Sequence, residues 1–553
     1  MPPLRAHPRR KSLCAALVLA AAASLSPAAL AQCETFGPRA PGFRASQSVF
    51  YDQIWSQIAR TSTGYVAVWS EGQNISLRRF DANLAPLGND TLVNATLSLD
   101  IQDEPAVAVA TGGNQLIAWS DRHGYDGEQM GIYGRVYNAA GTPLATEFRI
   151  NQITTASQWR PLIAPTPAGG FVVAWSGNWD GDAYMRILSS TGAALSNDIR
   201  INQYLIDAQV DPSVAVASNG NIFAVFVDFS SGTSVDGLDL YGRLFNASGA
   251  PLTNEFLITT PAFTTGHQAL PRVAVDGQNR FLVVWQSELG DGSSTCVVGR
   301  RFDVNATPIS GEFIANSTTA SAQLEARVAA QSNGDFVVTF EDYSTGTARV
   351  MYRRFDANLN PKGPDEPIDA AQSATYRPEL IVDPTGADVV FAYESWGNGD
   401  GDVYLRRYQS SAGAQVFCTG KLNSQGCTPA IAFNGSASAT SPSAFTISAA
   451  NVINQSPGLL FYGYSSAFIP FQGGTLCLND FKRTPIQFSG GSAVVTNCSG
   501  TLSYDFNARI QGGTDPLLVP GAVISAQYYF RDVNDPAGFG TGLSNALRFT
   551  ICP

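Results

Sequence analysis

A seven-bladed β-propeller followed by a small β-sandwich is the all-β fold this chain predicts, on three observations. An arginine recurs at Arg78, Arg135, Arg186, Arg243, Arg300, Arg353 and Arg406, with spacings of 57, 51, 57, 57, 53 and 53 residues. Each follows an apolar run ending in Trp, Phe or Tyr and then a polar hairpin. At Cys418 the repeat stops and cysteines concentrate. A fixed period of about 50 residues in a strand-rich chain is the mark of a closed ring of small sheets.

Residues 1–31 predict a cleaved signal peptide. Arg5, Arg9, Arg10 and Lys11 form a basic end, Leu13 to Leu25 an apolar core, and Ala29-Leu30-Ala31 an A-x-A-like cleavage site. No later run holds 18 apolar residues, so no spanning helix is expected. Removing the leader takes the net charge from −11 to −15 and leaves Lys362, Lys421 and Lys482 as the lysines. That acidic balance argues against nucleic acid and anionic membranes as partners.

Each repeat divides into four strands. The first opens on Gln-x-x-Pro: Gln102/Pro105, Gln158/Pro161, Gln209/Pro212 and Gln268/Pro271 match in full, Gln53 and Gln323 keep the Gln, and Pro378 keeps the Pro. The second is an unbroken apolar run such as Phe171–Trp175 or Phe281–Trp285, the pattern of a strand covered on both faces. The third carries the arginine, and the fourth is Glu147–Asn151 and its equivalents.

The last repeat lacks a fourth strand, yet Phe43-Arg44-Ala45-Ser46 precedes Gln53 much as Phe148-Arg149-Ile150-Asn151 precedes Gln158. An N-terminal strand at about 42–46 is therefore expected to complete the seventh blade, giving a propeller over 32–417 with no exposed sheet edge at the closure.

Residues 418–553 predict a disulfide-linked sandwich with strands at Phe445–Ala449, Leu459–Tyr462, Ala493–Thr496, Val523–Phe530 and Leu547–Ile551. Cys418–Cys427 and Cys477–Cys498 are the preferred pairs. A Cys33–Cys418 staple across the ring closure is an alternative, and Cys296 and Cys552 have no assigned partner. No C-x-x-C occurs, which speaks against zinc or redox chemistry.

The recurring phrases FVVAW…DGD…YMR, FLVVWQSELGDG…VVGRRFD and VVFAYESWGNGDGDVYLRRY resemble a degenerate propeller repeat of secreted bacterial proteins of unknown function. The stretches FCTGKLNSQGCTPAI, PFQGGTLC, NCSGTLSYDFNA and GLSNALRFTICP resemble a C-terminal module common on exported bacterial proteins. Both resemblances imply export and a secreted or cell-surface role. Neither implies a reaction.

In a propeller the second-to-third-strand hairpins and the blade-to-blade loops share one face. The periodic arginines and glutamines are expected to build the blades, the arginines by cross-strand pairing with the hairpin acids Glu71, Asp121, Asp228, Glu288, Asp342 and Glu394. The repeated Asp-Gly pairs, such as Asp291-Gly292 and Asp400-Gly401, suit tight turns. Asp180, Asp182, Asn398, Asp400 and Asp402 are the candidate ligands for a calcium ion, though their spacing lacks the full calcium-loop pattern.

Residues that break the period are the better ligand-binding candidates: Tyr125, Trp179 and Trp396 beside the turns, and His123, with the periodic hairpin acids Asp121 and Asp228 completing the ligand-binding set. Aromatic faces next to carboxylates stack on sugars while the acids bond hydroxyls. No nucleophile elbow, zinc-protease motif or P-loop occurs. The reading favoured by the sequence is a binding or adhesion protein presenting this face to a glycan or an extracellular protein. The alternatives are a polysaccharide-active hydrolase or lyase using loop-face carboxylates, and a structural envelope or matrix component.

Overall fold

The structure, a computed structural model, describes residues 34–95, 101–122, 130–177, 181–229, 237–260, 266–288, 290–383, 388–397, 399–412 and 414–552. The chain is all-β, a seven-bladed propeller followed by a disulfide-linked β-sandwich. Blade one is Gln53–Arg60, Gly64–Glu71, Asn74–Asp81 and Thr91–Leu92, and blades two to six repeat that antiparallel order from strands opening at Gln102, Trp159, Gln209, Gln268 and Gln323.

Blade seven consists of Thr375–Val382, Asp388–Ser395 and Asp402–Ala412, and its outer position is filled from the other end of the chain. Phe43 lies opposite Leu405 and Arg44 opposite Tyr404, while Glu34–Pro38 pairs with the far half of the same long strand.

Seven apolar clusters, each shared by two consecutive blades, complete the ring. This explains the unbroken apolar runs: Phe171–Ser176 and Ile222–Asp228 are buried at every position because both faces meet a neighbouring blade. The aromatic at the end of each run, including Trp69, Trp119, Trp175 and Trp285, is fully buried.

The periodic arginines are structural, but not through the partners expected from the sequence. Each reaches back to the carbonyl just past the outer strand of the preceding blade: Arg78 to Ala45 (2.8 Å), Arg135 to Val93 (2.7 Å), Arg243 to Ile201 (3.2 Å), Arg300 to Ile258 (2.6 Å), Arg353 to Ala315 (3.0 Å), Arg406 to Ile368 (2.7 Å), and Arg186 to Ile150. Their acidic neighbours belong to the outer-strand region, as in Arg78–Asp90 (3.7 Å) and Arg135–Glu147 (3.5 Å). Register gives the reason: Arg135 stands opposite Ile117, whereas the hairpin acid Asp121 stands opposite Gly131, four residues up the ladder.

In the C-terminal module, a six-stranded sheet built on Pro457–Gly463, Val523–Arg531 and Thr541–Thr550 faces a three-stranded sheet of Ala430–Asn434, Thr446–Val452 and Gly500–Asp505. Leu460, Tyr528, Phe530 and Phe549 from one sheet pack on Ile447 and Leu502 from the other.

The disulfides are Cys418–Cys477 and Cys427–Cys498, each with Cα atoms 6.4 Å apart, so the expected pairs Cys418–Cys427 and Cys477–Cys498 and the Cys33–Cys418 staple are corrected. Cys418 follows the edge strand Gln415–Phe417, and Cys477 lies on the hairpin strand Gly474–Leu478 brought against that sheet; nearness in sequence was the wrong guide. Cys552 is also disulfide-bonded, and Cys296 is a buried free thiol.

The segment Ala493–Thr496 is not a strand. Asn454 captures the carbonyl of Val495 (2.9 Å) and the N–H of Asn497 (2.7 Å), offering this backbone a side-chain partner in place of a ladder, and Val494 is left 91% exposed.

Candidate functional site

The repeated glutamines are buried polar fasteners at the start of the innermost strand in six blades, with Thr375 in that place in blade seven. Gln209 accepts from Asn202 (2.9 Å) and donates to Asp228 (3.2 Å). Gln102 donates to Asp121 (3.1 Å) and Gln323 to Asp342 (3.0 Å). The asparagine at the equivalent place accepts an N–H near the start of the third strand, as Asn151 does from Ile132 (2.9 Å). Every polar atom tied up this way satisfies a buried neighbour.

Two residues after each glutamine position the innermost strand bulges. Trp55, Glu104, Arg160, Asp211, Leu270, Glu325 and Arg377 occupy this place in the seven blades, all with left-handed backbone (φ 57°, 52°, 53°, 50°, 50°, 52° and 46°). A left-handed conformation in a non-glycine residue is sparsely populated, and seven in register mark a designed feature. In four of the blades the bulge is held from behind, because its N–H donates to the side chain of the residue after the buried aromatic of the preceding blade. Asp211 donates to Ser176 (2.9 Å), Arg160 to Ser120 (3.0 Å), Arg377 to Glu341 (2.7 Å) and Trp55 to Glu394 (2.7 Å).

The bulges turn these seven side chains toward the propeller axis, where all of them line one small cavity of about 60 Å³. Arg160 pairs with Glu104 (3.1 Å) and Asp211 (2.9 Å). Arg377 pairs with Glu394 (2.8 Å) and lies 4.1 Å over the Trp55 ring.

Beside this axial cavity a wider cleft of about 490 Å³ opens over blades five to seven. Glu325, Arg377 and Leu270 line both spaces. Trp396, Tyr343 and Tyr376 add aromatic walls, and Glu341 adds a second carboxyl. A Cβ on Gly401 would lie 2.8 Å from the Trp396 indole, so the glycine lets the ring lie against its own hairpin.

The two cleft carboxyls are in opposed environments. Burial raises the Glu341 carboxyl above the ordinary range, and the charge of Glu325 adds to the rise; the hydrogen bonds from Arg377 and Tyr343 (2.9 Å) oppose it without cancelling it. Burial also pushes Glu325 upward, but the guanidiniums of Arg327, Arg272, Arg160 and Arg377 outweigh it and hold this carboxyl below its usual range.

A third acid, Asp103 on the innermost strand of blade two, gives a stability test. Burial, helped by the charge of Glu104, pushes Asp103 up to about 6 despite its pairing with Arg122 at 2.5 Å. Because the folded value lies above that of an unfolded Asp, ionisation works against the fold increasingly between about pH 4 and 6 and fully above that. Asp103→Asn is therefore expected to raise stability by about 2 kcal/mol at pH 7.5 and by nothing measurable at pH 3.5. Urea unfolding at both pH values checks this.

Of the residues singled out from the sequence, Trp396 lines the cleft. Asp121 and Asp228 are buried under the face on the glutamine fasteners and do not reach the cleft. Tyr125, His123, Trp179, Asp180 and Asn398 lie outside the described residues. Among the calcium candidates, Asp182 accepts from Asn202 (2.6 Å), Asp402 lies 3.5 Å from Arg44, and Asp400 is exposed. Among the described residues no group of three or more His, Cys, Asp or Glu side chains converges.

Glu325, Glu341, Tyr343 and Arg377 were missed by the sequence reading. A partial signal was present: the third position of the phrase Gln-x-x-Pro runs Trp, Glu, Arg, Asp, Leu, Glu, Arg, charged in five of seven repeats, whereas the equally variable second position runs Ile, Asp, Trp, Val, Ala, Leu, Tyr and is charged in one. The position after the buried aromatic runs Ser70, Ser120, Ser176, Val227, Gln286, Glu341, Glu394, turning acidic only over the last two blades.

No protein-family model matches the sequence. No curated protein matches it either. Several solved structures are similar. A protein of unknown function from Dyadobacter fermentans has 8% identity over 68% of this chain and 99% of its own, with a TM-score of 0.44. The polysaccharide lyase Uly1 has 11% identity over 68% and 98%, with a TM-score of 0.43. A GH93 α-L-arabinofuranosidase of Fusarium graminearum, in complex with arabinobiose, has 12% identity over 56% and 93%, with a TM-score of 0.42. At such identities the likeness is one of fold and extends no further.

Proposed function

We propose that this is a secreted polysaccharide-active protein that takes a glycan chain into the cleft over blades five to seven and hydrolyses it. Glu341 is the proton donor and Glu325 the ionised partner carboxylate. The observation that carries the reading is the pair of carboxyls lining one cleft with their proton affinities driven apart, one raised by burial and the other lowered by arginines. Glycoside hydrolysis needs such a division of labour, an acid that keeps its proton and a carboxylate that has lost it. Trp396, Tyr343 and Tyr376 supply apolar faces of the kind that stack on sugar rings. The two described disulfides fit an oxidising compartment, and no described helix is long and apolar enough to cross a membrane.

A non-cleaving glycan-binding protein is the second reading. It is favoured by the fact that both Glu341 oxygens already accept hydrogen bonds, from the Arg377 N–H and the Tyr343 hydroxyl. A panel of neutral and uronate-containing polysaccharides separates the two, scored for retention and for new reducing ends. Cleavage supports the hydrolase; retention without product supports the binder; neither outcome on any glycan removes both. Trp396→Ala is expected to weaken retention about tenfold through lost stacking, and unchanged retention would take the cleft out of the account.

A further inference from the structure

Charges in the axial cavity do not pair off evenly. It is lined by Arg160, Arg272, Arg327 and Arg377 and by Glu104, Asp211, Glu325 and Glu379. Arg160 engages Glu104 and Asp211, and Arg327 engages both Glu325 (3.4 Å) and Glu379 (2.5 Å). Glu379 also accepts from Gln57 at 2.7 Å. Arg377 turns to Glu394. Among the described residues Arg272 forms no ion pair. Its Nη1 donates to the neighbouring Pro271 carbonyl (2.8 Å), and its buried Nε has no acceptor. Burial, with the charge of Arg327 acting in the same direction, pushes this guanidinium down to about 10, although the charges of Glu379, Glu325 and Asp211 oppose the fall.

Arg272 is also not blade scaffolding. The same place in the other blades holds Gln57, Ala106, Leu162, Ser213, Arg327 and Glu379, so no packing rule of the repeat demands a guanidinium there. A desolvated guanidinium with spare donors is destabilising until an anion arrives to share it.

We propose that the axial cavity is a carboxylate-binding subsite, with Arg272 as its recognising residue, and that it receives the carboxylate of a uronic-acid unit whose sugar ring lies in the adjoining cleft. The cavity, about 60 Å³, holds a carboxylate group but not a pyranose. It joins the cleft through Leu270, Glu325 and Arg377, which line both. The planar fork of an arginine suits a carboxylate. This inference rests on the glycan reading above and narrows it to acidic glycans.

The test uses the full chain and the variants Arg272→Gln and Arg272→Lys. Thermal unfolding is followed with galacturonate, glucuronate, their neutral sugars, acetate and chloride, and retention is measured on polygalacturonate and on a neutral arabinan. The expected results are a rise in Tm with uronates alone, its loss in Arg272→Gln, partial rescue in Arg272→Lys, and a fall of about 10- to 100-fold in polygalacturonate retention in Arg272→Gln. Without ligand, Arg272→Gln is expected to melt at or close to the wild-type temperature, since a half-buried guanidinium that forms no ion pair among the described residues has been removed. A lower Tm would make Arg272 structural and overturn the proposal. Equal stabilisation by acetate or chloride would overturn the uronate assignment in favour of free small anions. Retention and cleavage of arabinan with no response to uronates would sink this inference and leave the hydrolase reading standing. Uronate stabilisation with no polysaccharide retained would remove the glycan-chain reading and its uronic-acid unit together.

Discussion

Glu341→Gln is expected to lower the rate of glycan cleavage by about 10²–10⁴-fold while leaving the fold intact. The amide keeps an oxygen for the Arg377 N–H, so the blade-seven bulge stays supported, and its NH₂ group faces the Tyr343 hydroxyl, which then accepts. What is lost is the transferable proton. The pH profile carries the same information. Activity needs Glu341 protonated and Glu325 ionised, so the rate falls as pH rises through the raised Glu341 value and falls as pH drops through the lowered Glu325 value. A bell with its plateau on the acid side follows. Reducing-end assays across pH on wild type, Glu341→Gln and Glu325→Gln check it, and wild-type activity in Glu341→Gln would sink the catalytic assignment.

Arg406→Ala is expected to be the most damaging of the seven periodic arginine substitutions, by about 3–5 kcal/mol in urea unfolding. Arg406 is buried, lies 2.8 Å from Asp369, donates to the Ile368 carbonyl and has its guanidinium 5.1 Å over Phe468 of the C-terminal module. Truncation leaves the buried Asp369 carboxylate without its counter-charge, held by the Tyr393 hydroxyl (2.8 Å) and the Ala371 N–H (3.0 Å). The double variant Arg406→Met/Asp369→Asn is expected to recover much of the loss, because it removes both charges together. Arg353→Ala, whose nearest acid is 3.9 Å away, is expected to lose far less.

How much of this was legible in the sequence depends on what repeats. Periodic residues announce the blade, so Arg135, Gln209 and Phe171–Trp175 sufficed to count sheets and to show that the second strand is covered on both faces. Register was not legible, because a ladder position cannot be read from spacing alone; the arginines were therefore assigned to hairpin acids four residues too far up the sheet. The disulfides failed for the related reason that strands distant in sequence meet in the sandwich. The candidate site was half legible. Trp396 stood out because it interrupts a pattern. Glu325 and Arg377 sit at an unassigned position of the repeated phrase, and only the structure shows that the left-handed bulge turns that position toward the axis.

The closure of blade seven has a consequence for how the chain reaches its native state. Arg44 and Asp402, which meet across that sheet, are 358 residues apart in sequence. A strand made early must stay unpaired until nearly the whole ring has been made behind it. Blades one to six can form in order as they emerge, from contacts local to each repeat, but the last edge stays open until the two ends meet. During folding, the vulnerable species is thus a nearly finished ring with a gap, exposing the Asp402–Ala412 edge to any other extended segment. A second molecule in the same condition offers the matching Phe43–Arg44 strand, so exchange of that strand between two chains is the misassembly this architecture invites.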